Sequence, residues 1–69
     1  MDYLAASGLV KAGSNVSVDA KEIVAELLIE MAQDARRSGA RLTITTSDHL
    51  LVGVRDLIAD VGGNSVTFE

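Results

Sequence analysis

Apolar and polar positions along this chain switch between two periods, and the switches divide it into alternating elements. From Asp19 to Ser38, apolar residues recur at Ile23, Val24, Leu27, Leu28, Met31 and Ala35, with Glu22, Glu26, Glu30, Gln33 and Arg37 opposite. That spacing is helical. Asp19 stands where an N-cap belongs, and Glu22 follows at capping-box distance. Leu42-Thr-Ile-Thr-Thr46 then alternates large apolar residues with threonine, the mark of a half-buried strand. A second helix is expected from a cap at Ser47 or Asp48 to about Val61, on a stripe of Leu50, Leu51, Val54, Leu57, Ile58 and Val61. Val66-Thr-Phe-Glu69 reads as a closing strand, Val16-Ser-Val18 as the opening one, and residues 3 to 12 as a short helix weakened by Gly8.

The strand entries repeat. Gly13-Ser-Asn-Val-Ser-Val18, Gly39-Ala-Arg-Leu-Thr-Ile44 and Gly63-Asn-Ser-Val-Thr-Phe68 each run Gly, two spacers, a large aliphatic, Ser or Thr, and a second large apolar residue, with the glycines 26 and 24 residues apart. A near-regular period of this length marks stacked supersecondary units. The expected fold is α/β: an (α)βαβαβ chain with right-handed crossovers, a three-stranded parallel sheet in the order 1-2-3, and all helices on one face. Val16, Val18, Leu42, Ile44, Val66 and Phe68 then point at the helices. Ser17, Thr43 and Thr67, with Asp19, Thr45 and Glu69, take the other face. The plan is similar to that of β/α solenoids such as the leucine-rich-repeat arcs, although their Asn or Cys ladder and Leu-x-x-Leu-x-Leu spacing are not in this sequence.

Sixty-nine residues suit a single domain spanning 1–69 with a thin core. Small domains are commonly reinforced by disulfides, metals or association. The chain has no cysteine and one histidine, so association is the expected support, with no cofactor and no metal. The formal net charge is -4, and Tyr3 and Phe68 are the only aromatic residues. Neither a basic patch nor a stacking platform invites nucleic acid. No apolar run approaches membrane-spanning length, and the first dozen residues lack the basic start of a secretory signal, so a cytoplasmic location is expected.

Groups suited to catalysis are few in this sequence. His49 is the only imidazole; Ser47 is near it in sequence, but neighbours on a helix do not face one another. Gly39 and Gly62-Gly63 follow helices and precede strands, the reverse of a phosphate-binding loop, and read as helix stops. Glu30 with Asp34, and Asp56 with Asp60, are solvated helix charges without a calcium-loop pattern. No catalytic role is expected.

The two outer strands carry the functional expectation. Val16, Ser17, Val18 and Asp19 on one side, and Val66, Thr67, Phe68 and Glu69 on the other, form sheet edges without Lys or Pro to blunt them. Nothing after Glu69 in this sequence covers the last strand. The expected partner is a second copy of the chain, stacking head to tail into a filament, ring or other oligomer. Asp19 near Glu69 at each junction makes assembly strengthen with ionic strength. The alternative is an adaptor or inhibitor that binds another protein by strand addition or through the Ser/Thr-rich face. Ile29 and Val52 fall outside the apolar stripes and are read as a lateral contact strip.

Overall fold

The computed structural model describes residues 2–69. In order, it has α1 (Tyr3–Lys11), β1 (Val16–Asp19), α2 (Ala25–Ser38), β2 (Leu42–Thr45), a 3-10 turn at Ser47–His49, α3 (Val52–Gly62), a second 3-10 turn at Gly63–Ser65, and β3 (Val66–Phe68). The strands form one parallel sheet in the order β1-β2-β3. Alternation along each strand explains why the helices share one face. Val16, Val18, Leu42 and Ile44 are buried beneath them, Ser17 and Thr67 are exposed, and Thr43 is half-buried on the bare face. α2 lies between α1 and α3 and packs on both.

The repeat in the sequence becomes a repeat in space. Val16 pairs with Leu42 and Leu42 with Val66, and one turn of the pleat further on Val18 pairs with Ile44 and Ile44 with Phe68. Each glycine of the motif lies three residues ahead of its strand and has positive φ: 87° at Gly13, 81° at Gly39 and 55° at Gly63. At Gly39 the left-handed residue ends α2 outright, its amide donating to the Ala35 carbonyl. A side chain with a Cβ would be strained there.

Both long helices start later than the pattern predicts. Asp19 is not the cap of α2. It completes β1 opposite Thr45, its Oδ1 accepts from the Lys21 amide at 2.9 Å, and its carbonyl accepts from the Glu22 amide at 3.0 Å. The Ala20 amide continues the sheet ladder to the Thr45 carbonyl. Ladder bonds thus take the residues a capping box needed, and residues 20–24 form a turn that buries Ile23. Likewise Ser47 and Asp48 enter a tight 3-10 turn instead of capping α3, and Leu50-Leu51 is extended before α3 begins at Val52. The covered stripe of α3 is narrower than the pattern predicts. Ile58 is buried, Leu50, Val54 and Val61 are half-buried, but Leu51 is 76% exposed and Leu57 46% exposed. Val24 of the expected α2 stripe is also exposed.

The core is continuous from α1 to α3: Val10, Leu28, Met31, Leu42, Ile44 and Ile58 are its fully buried large side chains. Gly62 is buried where α3 meets α2, facing the Ala32 side chain and Val66.

Candidate functional site

In a parallel sheet each strand uses alternate residues to bond its two neighbours. On β1 the Val16 amide donates to the Arg41 carbonyl at 2.9 Å, and just past β1 the Ala20 amide reaches the Thr45 carbonyl at 2.9 Å. Even-numbered residues therefore face β2, and the main-chain groups of Ser17 and Asp19 face outward. On the other side the Glu69 amide donates to the Ile44 carbonyl at 2.9 Å, so Thr67 and Glu69 face β2 while Val66 and Phe68 face outward. Apart from two turn bonds, from the Glu22 amide to the Asp19 carbonyl and from the Val66 amide to the Gly63 carbonyl, neither outer line is hydrogen-bonded to another segment among the described residues. All eight edge residues lie at these two margins, Val16–Asp19 on one and Val66–Glu69 on the other.

The β3 margin is better anchored at its far end than its sequence suggests. Ser47 is buried, and both its amide (3.0 Å) and its hydroxyl (2.8 Å) donate to the Glu69 carbonyl. This clamp ties the turn after β2 to the end of β3. Over the helix-side face of β3, the Arg55 guanidinium lies 4.9 Å from the centre of the Phe68 ring, a cation–π contact. Sequence reading misses both. The available signal was a Ser just after the central strand and the sole helix-facing aromatic of the sheet.

The helices beside the two margins leave apolar side chains uncovered. Leu4 and Leu9 of α1 are 80% and 40% exposed, and Val52 of α3 is 77% exposed. Val61 borders a surface cleft with Gln33, Arg36 and Arg37 of α2. At about 100° per residue, Val52 and Ala59 fall on the flank of α3 turned away from that cleft. Val52 is therefore exposed as expected. Ile29 is not: it is half-buried and packs against the core, because α2 has a helix on each side and so covers a wider arc of its surface.

At the carboxyl ends of the strands, the turn of residues 20–25 and the segment His49–Val54 enclose an open groove of about 330 Å³. Its lining is mainly apolar, from Ile23, Val24, Leu50, Leu51 and Val54, with Lys21, Glu22 and His49 at the rim. His49 is exposed and Ser47 has committed its hydroxyl to Glu69, so the structure does not bring the two together as a nucleophile and base. Thr46 is the one described non-glycine residue with positive φ, 55°, at the turn between β2 and this groove. Asp34 pairs with Arg37 at 3.8 Å on an exposed helix face. No described helix is long and apolar enough to cross a membrane. Comparison with protein families, curated proteins and solved structures returns no match for this chain.

Proposed function

We propose that this chain is a non-enzymatic structural protein whose copies associate head to tail, the β3 margin of one against the β1 margin of the next. The observation that carries the reading is the pair of open sheet edges, in phase with one another and bordered by exposed apolar residues on α1 and α3. An in-phase parallel edge is the surface that β2 already offers to β3. A second copy supplies the missing neighbour, and α3 of one copy meets α1 of the next as α2 meets α3 within the chain. Such an interface is heterologous, and its products are rings or open filaments according to the rotation per copy. Sedimentation velocity across a concentration series, with negative-stain electron microscopy, tests it. Assembly that grows with concentration is expected; a monomer at high micromolar concentration at every ionic strength would sink the reading.

One observation favours a second reading, a small adaptor or inhibitor of another protein. The groove beside Val24 and Leu51 lies at the strand ends, away from both margins, and stacking along the sheet leaves it free. Under this reading the chain stays monomeric, its edge or its Ser/Thr face receives a foreign strand, and the groove at the strand ends takes an apolar side chain of the same partner. Leu51→Asp then abolishes partner binding, whereas under self-assembly it leaves the oligomer distribution unchanged.

A further inference from the structure

We infer that the junction between copies repeats the register the chain already uses twice, parallel and unslipped, and that one pair of carboxylates controls it. This rests on the assembly reading above and adds its atoms, its direction and its response to salt. Two turns trim the margins to matching sets. On the β1 side the Asp19 carbonyl is occupied by the Glu22 amide, leaving the Ser17 amide, the Ser17 carbonyl and the Asp19 amide. On the β3 side the Val66 amide is occupied by the Gly63 carbonyl, leaving the Val66 carbonyl, the Phe68 amide and the Phe68 carbonyl. Two donors and one acceptor face two acceptors and one donor.

The internal pairing shows how they meet. Within the chain, Thr67 is level with Thr43 and Thr43 with Ser17. Carried one strand further, Ser17 of the next copy stands level with Thr67. Its amide then donates to the Val66 carbonyl, the Phe68 amide donates to its carbonyl, and the Asp19 amide of the next copy donates to the Phe68 carbonyl. All six open groups are used. A slip of two residues leaves some of them unpaired, as does antiparallel pairing of like edges, where β1 against β1 or β3 against β3 joins one residue to its own copy. On the helix side, Val66 and Phe68 come level with Val16 and Val18 of the next copy, so the buried apolar layer continues.

The bare face gives the control. Thr67 meets Ser17, and Glu69 meets Asp19 of the next copy, two carboxylates directly opposite on neighbouring strands. Like charges so placed oppose pairing, and salt screens them over about 10 Å at 0.1 M. Junction formation therefore strengthens as salt rises.

The cysteine-free sequence permits a direct test. Neighbouring strands lie about 4.8 Å apart, within disulfide reach, whereas a partner two residues along is about 8 Å away, beyond it. Ser17→Cys with Thr67→Cys, both at exposed positions, is expected to give a ladder of disulfide-linked multimers on mild oxidation. Ser17→Cys with Glu69→Cys is expected to give at least tenfold less, and each single variant to stay uncrosslinked. A ladder from the slipped pair, or a dimer from Thr67→Cys or Ser17→Cys alone, overturns the register while sedimentation still shows assembly. A sedimenting monomer throughout overturns the assembly reading instead. For the charge control, Asp19→Asn with Glu69→Gln is expected to assemble as well at 10 mM salt as the parent does at 300 mM. An unchanged salt dependence in that variant overturns the carboxylate role.

Discussion

The second and third β-α units are built on one motif and end up in different surroundings. In the second, Leu42 and Ile44 are fully buried, as are Leu28, Met31, Ala32 and Ala35 on the helix before them. In the third, Val66 and Phe68 are only half-buried, and α3 buries Ile58 and Gly62 alone. The residue types hardly differ. What differs is the number of neighbours: β2 has a strand on each side and α2 a helix on each side, while β3 and α3 have one. An outer strand is not open for that reason alone, since Val16 and Val18 of β1 are buried with α1 packed on that strand. The third unit stays open because no further helix packs beside α3 among the described residues.

The largest effect to expect from this contrast is in the core. Ile44→Ala removes a fully buried side chain from the central strand and should cost about 2–5 kcal/mol, much of the whole stability of a domain this small. Phe68→Ala, at the equivalent position of the edge strand, should cost markedly less, about 1–2 kcal/mol, because the ring is only partly buried. Urea unfolding followed by circular dichroism, at a concentration low enough to keep the chain monomeric, compares them. Equal costs would break the contrast. If the two converge only at high concentration, the edge strand has gained a neighbour by association.

A second test asks whether the third unit is loosely packed throughout or only at its outer side. Gly62 lies on the inner side, and a Cβ there would come within 3.2 Å of the Ala32 Cβ and much closer to a Val66 methyl. Gly62→Ala should therefore destabilise by about 1–3 kcal/mol by overpacking, read as a lower unfolding midpoint in urea. A neutral result would mean that β3 and α3 yield easily even where they touch the core.

The architecture was legible because it rests on periodicity and on one repeated element. Alternation in Leu42–Thr45 and in Val16–Asp19 fixed which side chains face the helices, and the three glycines marked the helix-to-strand turns at their true positions. The helix starts were not legible, since Asp19 and Ser47 are good caps by type and the sheet claims them. Asp19 is held by pairing with Thr45, and Ser47 by a carbonyl 22 residues away in sequence. Local propensity is blind to such long-range claims. Leu51 lies ahead of α3, which begins at Val52, whereas Ile29 is partly covered because α2 has a helix on each side, and Leu57 is exposed on α3, which has one. β1 and β3 are the outermost strands as expected, because strand order follows from the topology.

The Ser47 clamp offers a smaller and more local test of the third unit. Ser47→Ala deletes the hydroxyl bond to the Glu69 carbonyl but keeps the amide bond to the same atom. A cost of about 1 kcal/mol is expected. The sharper readout is hydrogen exchange: the Glu69 amide, bonded to Ile44, should lose protection while amides of β1 keep theirs. Equal loss in both strands would show the sheet opening as one unit, and the distinction between its two sides would then be confined to burial.

The smallest expected change is a gain. Gly53 sits in the first turn of α3, on its exposed side, and a Cβ there meets nothing within 4 Å. Gly53→Ala should stabilise by up to about 1 kcal/mol, since glycine in a helix gives up more backbone freedom on folding than alanine. The same substitution, Gly to Ala, thus takes opposite signs nine residues apart in one helix, because Gly62 faces α2 and β3 and Gly53 faces water. Thermal melts of the two variants side by side give the comparison its cleanest form. If Gly53→Ala failed to raise the midpoint, the start of α3 would not be helical in the folded ensemble, and the exposed flank carrying Val52 would lose its fixed geometry.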